Sequence, residues 1–300
     1  MTTPKIMNRC PLCGSDPLTS VDSVKDHLVT GEVFEIVECP TCDSRHTFPQ
    51  PPEEEIDRYY ESENYEPHSD RGVSLYGLAY RSIRGIMIGK KRKWIERFTE
   101  RKDGRLLDIG CGTGEFAASM RDSGWDVTCV DSSQKVRYEA LTRFGLEALS
   151  PSQWLEASSE PFDCITFWHT LEHIHDPRRY LDTARNHLKE KGVLLIGLPN
   201  FTAHDAKVYG NHWAGYDAPR HLTHFSPSSM ERFLSSCDLV MEGTVGLLYD
   251  AYYVSLLSAR YRGDGSLGAL WTGFISNRKA RSERKRYSSL IYVARRKSID

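Results

Sequence analysis

From Arg105 onward, short apolar runs alternate with longer stretches in which apolar residues recur at helical spacing. RLLDIG, WDVTCVD, FDCITFW and VLLIGLP are the apolar runs, each continuous enough to be a strand buried on both faces. That rhythm predicts an α/β fold: a Rossmann-like, mostly parallel sheet with helices on both faces. Between the last two runs, Asp176 and Pro177 predict a helix start, Tyr180, Ala184 and Leu188 repeat along one helical face, and Gly192 predicts the stop. Ser226 and Pro227 predict a further helix that buries Met230, Phe233 and Leu234, and SSLIYVARR reads as a late strand. Upstream, YRSIRGIMIGKKRKWIERF predicts a lead-in helix with Ile83, Ile86, Met87 and Ile95 on one face. Between about 250 and 285 the pattern resists assignment, as aromatic residues give way to RKARSERKR.

The first 50 residues do not share this rhythm. They carry two Cys-x-x-Cys pairs and end in PQPPEEE, which interrupts regular structure. The expected organisation is a small N-terminal module over 1–50, a linker and lead-in helices over 51–104, and a catalytic domain over 105–300. That domain would hold a lid-like segment at about 200–226 and an insertion at about 250–285.

Composition narrows the classes of function. The formal net charge of −2 demands no polyanionic partner, so nucleic acid ranks behind a small-molecule acceptor. No run approaches the roughly 18 apolar residues of a membrane span, and MTTPKIMNRC lacks the apolar core of a secretion signal. A cytoplasmic location is the expectation, and the dispersed Cys129, Cys164 and Cys237 read as small buried hydrophobes of a reduced protein. The basic stretch 278–286 is open to two readings, a solvated face or a contact with a diphosphate or the periphery of an anionic membrane.

RLLDIGCGTGEF sets an apolar strand, a glycine turn and a helix start in immediate succession, which gives the glycines meaning. Gly110, Gly112 and Gly114 permit backbone conformations and close approach that a side chain would obstruct. N–H groups at the helix start can meet a polar cofactor group. Asp131 ends the next run, about twenty residues on, where a carboxylate can accept from ribose hydroxyls. The spacing is G-x-G-x-G, whereas dinucleotide sites use G-x-G-x-x-G. LLDIGCGTGEF resembles motif I of the class I S-adenosylmethionine (SAM)-dependent methyltransferases, and CVDSS resembles their next acidic segment. The resemblance implies that Asp108, Gly110 and Gly112 surround the methionine part of SAM and that Asp131 holds its ribose. Cys111, Gly114 and Ser132 complete the expected cofactor site.

FDCITFWHTLEHIHDP brings His169, Glu172 and His173 just past a strand end, where open α/β sheets bind ligands. Methyl transfer to a hydroxyl or an acidic carbon needs a proton removed, and histidine can do this near neutral pH. His173, with His169 and Glu172, is the leading catalytic group. The competing reading is that Glu172 and His173 merely cap and shape a loop. HTLEH also matches an inverted zinc-protease pattern, but that pattern belongs inside a long helix, and here Asp176 and Pro177 follow at once. The string resembles the LEH-x-x-DP stretch of ubiquinone-biosynthesis-type O-methyltransferases and sugar C-methyltransferases. In those relatives the histidine matching His173 is implicated as a base or metal ligand, and an acidic residue often stands where His169 stands here.

LPNFTAHDAKVYGNHWAGYDAPRHLTHFSP is dense in His, Trp, Tyr and Arg for a connection. Trp213 and Tyr216 can stack on a sugar or ring, Arg220 can grip a phosphate or carboxylate, and His221 and His224 can add proton transfer. The alternative is an ordered lid whose aromatics fill space over the sheet. The string resembles W-x-G-x-D-x-PRHL-x-HFS of a methyltransferase subgroup associated with cell-envelope sugars and natural products.

Cys10, Cys13, Cys39 and Cys42 form two knuckles whose four thiolates would satisfy tetrahedral zinc and leave no open position, a structural site. EVFEIVEC reads as the strand between them, and His46 as a surface residue. Two disulfides or free thiols are the alternatives. Such a ribbon ahead of this catalytic pattern resembles bacterial methyltransferases that include deoxysugar C-methyltransferases, though beyond about residue 245 the likeness loosens. The expected function is SAM-dependent methyl transfer to oxygen or carbon of a small molecule, with a sugar or a related cell-envelope or natural-product metabolite as the expected acceptor. The rival classes are a ribbon-assisted methyltransferase of nucleic acid or protein, and a non-catalytic SAM-binding module.

Overall fold

A computed structural model describes residues 9–61, 75–283 and 286–297, with the side chains of 75–84 left aside. Most of the tyrosine-rich stretch after residue 59, the side chain of Ile83 and part of the basic run 278–286 therefore lie outside the described residues.

The chain begins with three antiparallel strands, β1 (Thr19–Lys25), β2 (Val33–Glu38) and β3 (Arg45–Phe48). Helix α1 (Leu75–Thr99) leads to β4 (Gly104–Ile109), α2 (Glu115–Arg121), β5 (Trp125–Val130), α3 (Gln134–Phe144), β6 (Ala148–Leu149), α4 (Pro151–Glu156) and β7 (Phe162–Trp168). Next come α5 (Pro177–His187), β8 (Leu188–Pro199), α6 (His204–Tyr209) and the two-residue β9 (Thr223–His224). The chain closes with α7 (Pro227–Ser236), β10 (Leu239–Gly246), α8 (Asp250–Arg262), α9 (Ser266–Ser282) and β11 (Ser289–Arg296).

The large sheet has seven strands in the order β10-β11-β8-β7-β4-β5-β6. Six run in one direction; β11 alone is reversed, antiparallel to both β8 and β10. Every residue of β7 is buried, as its unbroken apolar run requires of a central strand covered on both faces. The order reverses at β4, and the carboxyl ends of β4 and β7 open the crevice where such sheets bind ligands.

Local signals set most boundaries. Ser226 caps α7 through a reciprocal bond with Ser229, and Met230, Phe233 and Leu234 are buried as expected. Asp176 caps α5. That helix stops at His187, short of Gly192, because Leu188 has already entered β8 and pairs with Phe162. On α1, Ile95 is buried and Met87 packs against the core, but Ile86 faces solvent. The unassigned stretch after residue 250 folds into the α8–α9 hairpin.

The N-terminal strands are knitted to the large unit. Strand β9 pairs with β3, so the second sheet runs β1-β2-β3-β9. Cys10, Leu12, Cys39 and Cys42 share one apolar cluster with Phe225, Phe233 and Cys237.

Candidate active site and cysteine cluster

The glycine turn is held from behind. Gly110 and Cys111 N–H groups both donate to the Val130 carbonyl, at 2.8 and 3.1 Å, and Gly112 N–H donates to Oδ2 of Asp131 at 2.9 Å. The other Asp131 oxygen accepts from Ser133 N–H at 3.0 Å. Gly110, Gly112 and Gly114 all have positive φ, and a Cβ on Gly110 would lie 2.1 Å from the Thr170 hydroxyl. Glycine is therefore required where the turn passes beneath the loop after β7. Asp108 is buried, and its carboxyl is pushed up to about 6 by burial, although Thr166 donates to it at 2.6 Å. The Cys111 side chain turns inward against Ala117 and Cys129, so only its backbone can line the crevice. Ser132 is exposed beyond β5.

His169 directly follows β7 with φ 54°, uncommon for a residue with a Cβ. Its Nδ1 lies 3.5 Å from Glu172 Oε1 and its Nε2 lies 3.3 Å from Oδ2 of Asp250, the first residue of α8. Burial opposes its charge, but Asp250 and then Glu172 outweigh it and raise the imidazole to about 9. His173 is the opposite case. Burial and the neighbouring His221 lower it to about 4, so it is neutral. Its Nδ1 is 3.0 Å from the Arg220 carbonyl, which can only accept. The proton must therefore sit on Nδ1, leaving a lone pair on Nε2. The Tyr60 hydroxyl stands 3.0 Å from the same Nδ1.

Glu172 is buried, and neither carboxylate oxygen accepts a hydrogen bond among the described residues. Burial disfavours its charge, yet His169, His221 and His173 hold its pKa below the usual carboxylate value. Ligand atoms of Glu172, His173 and His221 lie within 4.8 Å of one another. His221 Nδ1 is 2.9 Å from the Gly215 carbonyl, so Nδ1 donates there and Nε2 faces the cluster. His224 differs. Thr47 spends its hydroxyl proton on the His221 carbonyl at 2.6 Å, so the His224 Nε2–H must donate to Thr47. His224 is thus fixed as a buried donor, with burial holding its pKa well below the ordinary value.

The three expected acceptor contacts point inward instead. Arg220 is 1% exposed; its guanidinium pairs with Asp26 at 2.9 Å and Asp217 at 2.7 Å and donates to the Tyr59 carbonyl at 2.8 Å. Trp213 donates to Asp205 at 2.9 Å, and the Tyr216 hydroxyl accepts from Arg45 at 2.7 Å. Both rings are buried. These residues build the floor of the segment, and the reason is long-range: their partners come from the N-terminal strands and α6.

Sequence reasoning missed Asp250 and Tyr60, which no motif marks. It also misjudged His46, which is buried, with Nε2 3.4 Å from Cys10 Sγ and 2.8 Å from Ser44 Oγ. The four sulfurs of Cys10, Cys13, Cys39 and Cys42 lie within 4.8 Å of one another, with Cys10–Cys42 at 3.6 Å and Cys13–Cys39 at 3.5 Å. A zinc–sulfur bond of about 2.3 Å in a tetrahedron sets sulfurs about 3.8 Å apart. The cluster fits that ion, with the His46 ring placed to donate to a thiolate rather than to ligate.

A family profile described as a methyltransferase domain matches residues 83–242. Ubiquinone biosynthesis O-methyltransferase of Caulobacter vibrioides is 28% identical over 48% of this chain and 63% of its own length. The protein of that name from Xanthomonas oryzae pv. oryzae is 28% identical over 49% of this chain and 67% of its own. The chain thus spans under two thirds of the first of these curated relatives. In fold, magnesium protoporphyrin IX methyltransferase from Synechocystis PCC 6803 superposes with a TM-score of 0.50 at 12% identity, covering 76% of this chain and 90% of that one.

Proposed function

We propose, from the premise that this chain belongs to the class I SAM-dependent methyltransferases, that it methylates an oxygen of a small molecule. SAM, when bound, supplies an electrophilic methyl group on a sulfonium. The chain's own residues bind, orient and take a proton. The glycines of the turn let the cofactor approach the backbone, and Asp131 offers carboxylate oxygens to ribose hydroxyls at the end of β5. Asp108 lies beneath the turn at the carboxyl end of β4.

The observation that carries the reading is the pairing of a neutral His173 with a charged His169 around one buried carboxylate. Two titratable groups driven apart in this way assign themselves as base and cation. His173 Nε2 accepts the acceptor's hydroxyl proton as the oxygen attacks the methyl, and Glu172 stabilises the resulting imidazolium. The set Asp250, His169 and Glu172 carries a net negative charge next to the site, which suits a sulfonium.

The resemblance of the segment after β8 to cell-envelope sugar and natural-product enzymes favours a hydroxylated sugar or a related metabolite. Carbon methylation is the nearest variant, since the same base would serve an acidic carbon. In place of the base, Glu172, His173 and His221 would make a nitrogen-rich donor set suited to a transition-metal dication, which would show as loss of turnover in chelator and recovery with iron(II) or manganese(II). We further propose that the four cysteines hold one structural zinc ion. Release of S-adenosylhomocysteine across nucleotide sugars, phenols, lipids, peptides and RNA tests the function. Turnover on hydroxylated small molecules is expected, and turnover on RNA or peptide alone would reject the reading.

A further inference from the structure

Helix α9 reverses the usual distribution of side chains. The face packed on α8 and α6 is built of small residues: Ala269, Gly273, Ser276 and Ala280 are buried. A Cβ on Gly273 would lie 2.9 Å from the Ala251 carbonyl, and Ser276 donates to Asp205 at 2.6 Å. The large apolar residues point outward. Leu267 is 85% exposed, Trp271 64%, Phe274 44% and Leu270 43%. Their spacing of three and four gathers them on one face, and the Trp271 and Phe274 rings stack at 5.5 Å. A helix that hides its small residues and shows its large apolar ones is a surface made to be covered.

Charge names the cover. The same face continues into Arg278, one turn past Phe274, and Arg281, one turn further, both exposed, with Lys279 beside them. The helix contains no acidic residue. The nearest flanking acids are already engaged, Asp264 by Arg262 and Glu283 by Arg286 at 2.6 Å. The α9 face of a second copy would offer these arginines no acidic partner. No helix among the described residues is long and apolar enough to cross a membrane.

We propose that α9 docks the protein on an anionic phospholipid bilayer. Leu267, Leu270, Trp271 and Phe274 enter the boundary between headgroups and acyl chains, and Arg278 and Arg281 meet lipid phosphates. The surface is separate from the residues assigned to methyl transfer and does not depend on the identity of the acceptor.

Sedimentation of the full chain with vesicles of phosphatidylcholine, with and without phosphatidylglycerol, tests this at low and high salt. Pelleting with anionic vesicles, weakened by salt, is expected. Trp271→Ser/Phe274→Ser should abolish it, and Arg278→Gln/Arg281→Gln should weaken it roughly thirtyfold, from the usual contribution of two basic residues near a charged surface. Both variants should keep the thermal midpoint and SAM affinity of the parent. Absence of pelleting, equal pelleting with neutral vesicles, or unchanged pelleting of Trp271→Ser/Phe274→Ser overturns the proposal. So does a wild-type dimer that ignores vesicles and becomes monomeric in that variant, which would make the face a contact between copies.

Discussion

Asp250 sets a carboxylate oxygen 3.3 Å from Nε2 of His169, which ties the first residue of the α8–α9 hairpin to the loop after the central strand β7. The start of α8 is therefore part of the site's wall. His169, caught between Asp250 and Glu172, titrates at about 9 rather than near its ordinary value. Because the folded-state value is raised, this pairing contributes stability fully below about pH 6.5, and the contribution is lost as pH rises through about 9. Asp250→Asn should lower the His169 midpoint, read from its ring proton shifts by NMR, and flatten the fall in stability across that window. An unchanged midpoint would show that the contact does not persist in solution.

Asp131→Ala should weaken SAM binding by about 1.5–3 kcal/mol, the cost of losing hydrogen bonds to a charged group. The loss has two sources here, the ribose and the Gly112 N–H that the carboxylate also holds. Asp131→Asn keeps one acceptor oxygen and should lose less. Calorimetric titration separates the two variants.

How much of this could be read from the sequence depended on how far each signal reached along the chain. The β4–turn–α2 unit, the cap at Ser226 and the cysteine knuckles are written within a few residues, and they stand where expected. The burial of Arg220 and His46 was not legible, because their surroundings come from elsewhere. Asp26, far upstream, turns Arg220 from a surface grip into a buried ion pair, and pairing of β3 with β9 encloses His46 beside Thr223. The hairpin after residue 250 had no legible period because its small residues, not its large ones, face the protein.

Purified protein should contain about one zinc per chain, as a closed four-thiolate site implies. Strand β3 carries the consequence into the site: Thr47 donates to the His221 carbonyl and Leu222 N–H donates to the Glu172 carbonyl at 2.8 Å. Chelation, or Cys39→Ser, should lower the thermal midpoint and speed amide exchange across 221–224. Metal content by elemental analysis and hydrogen exchange by mass spectrometry decide the matter. A metal-free protein with full protection would reject the assignment.

Arg220→Ala should act on stability, not on acceptor affinity. The substitution strands the buried Asp26 carboxylate, which among the described residues keeps the Leu28, Val29 and Thr30 N–H groups and the Thr30 hydroxyl. Breaking a buried pair in this way costs about 3–5 kcal/mol. Urea unfolding should register that loss. A stable variant with a raised KM would return Arg220 to the role of substrate grip.

The base should be His173. Its Nδ1 proton is held by the Arg220 carbonyl, its Nε2 is a free lone pair at neutral pH, and it is less deeply buried than His221 or His224. Its lowered pKa of about 4 keeps it unprotonated, so turnover limited by this group should be level above about pH 5 and fall only as pH drops through that value. His173→Ala should leave SAM affinity nearly intact and reduce kcat by about 10² to 10⁴. His173→Gln, which keeps a donor toward Arg220, should restore stability without restoring kcat, and so separates proton removal from loop shaping. If His173→Ala retains full turnover, His221 is the next candidate, since only its Nδ1 is engaged, by the Gly215 carbonyl, while His224 is fixed as a donor. If both single variants are fully active, the acceptor is nucleophilic without prior loss of a proton, and an amine or thiolate would replace the hydroxyl as the methylated group.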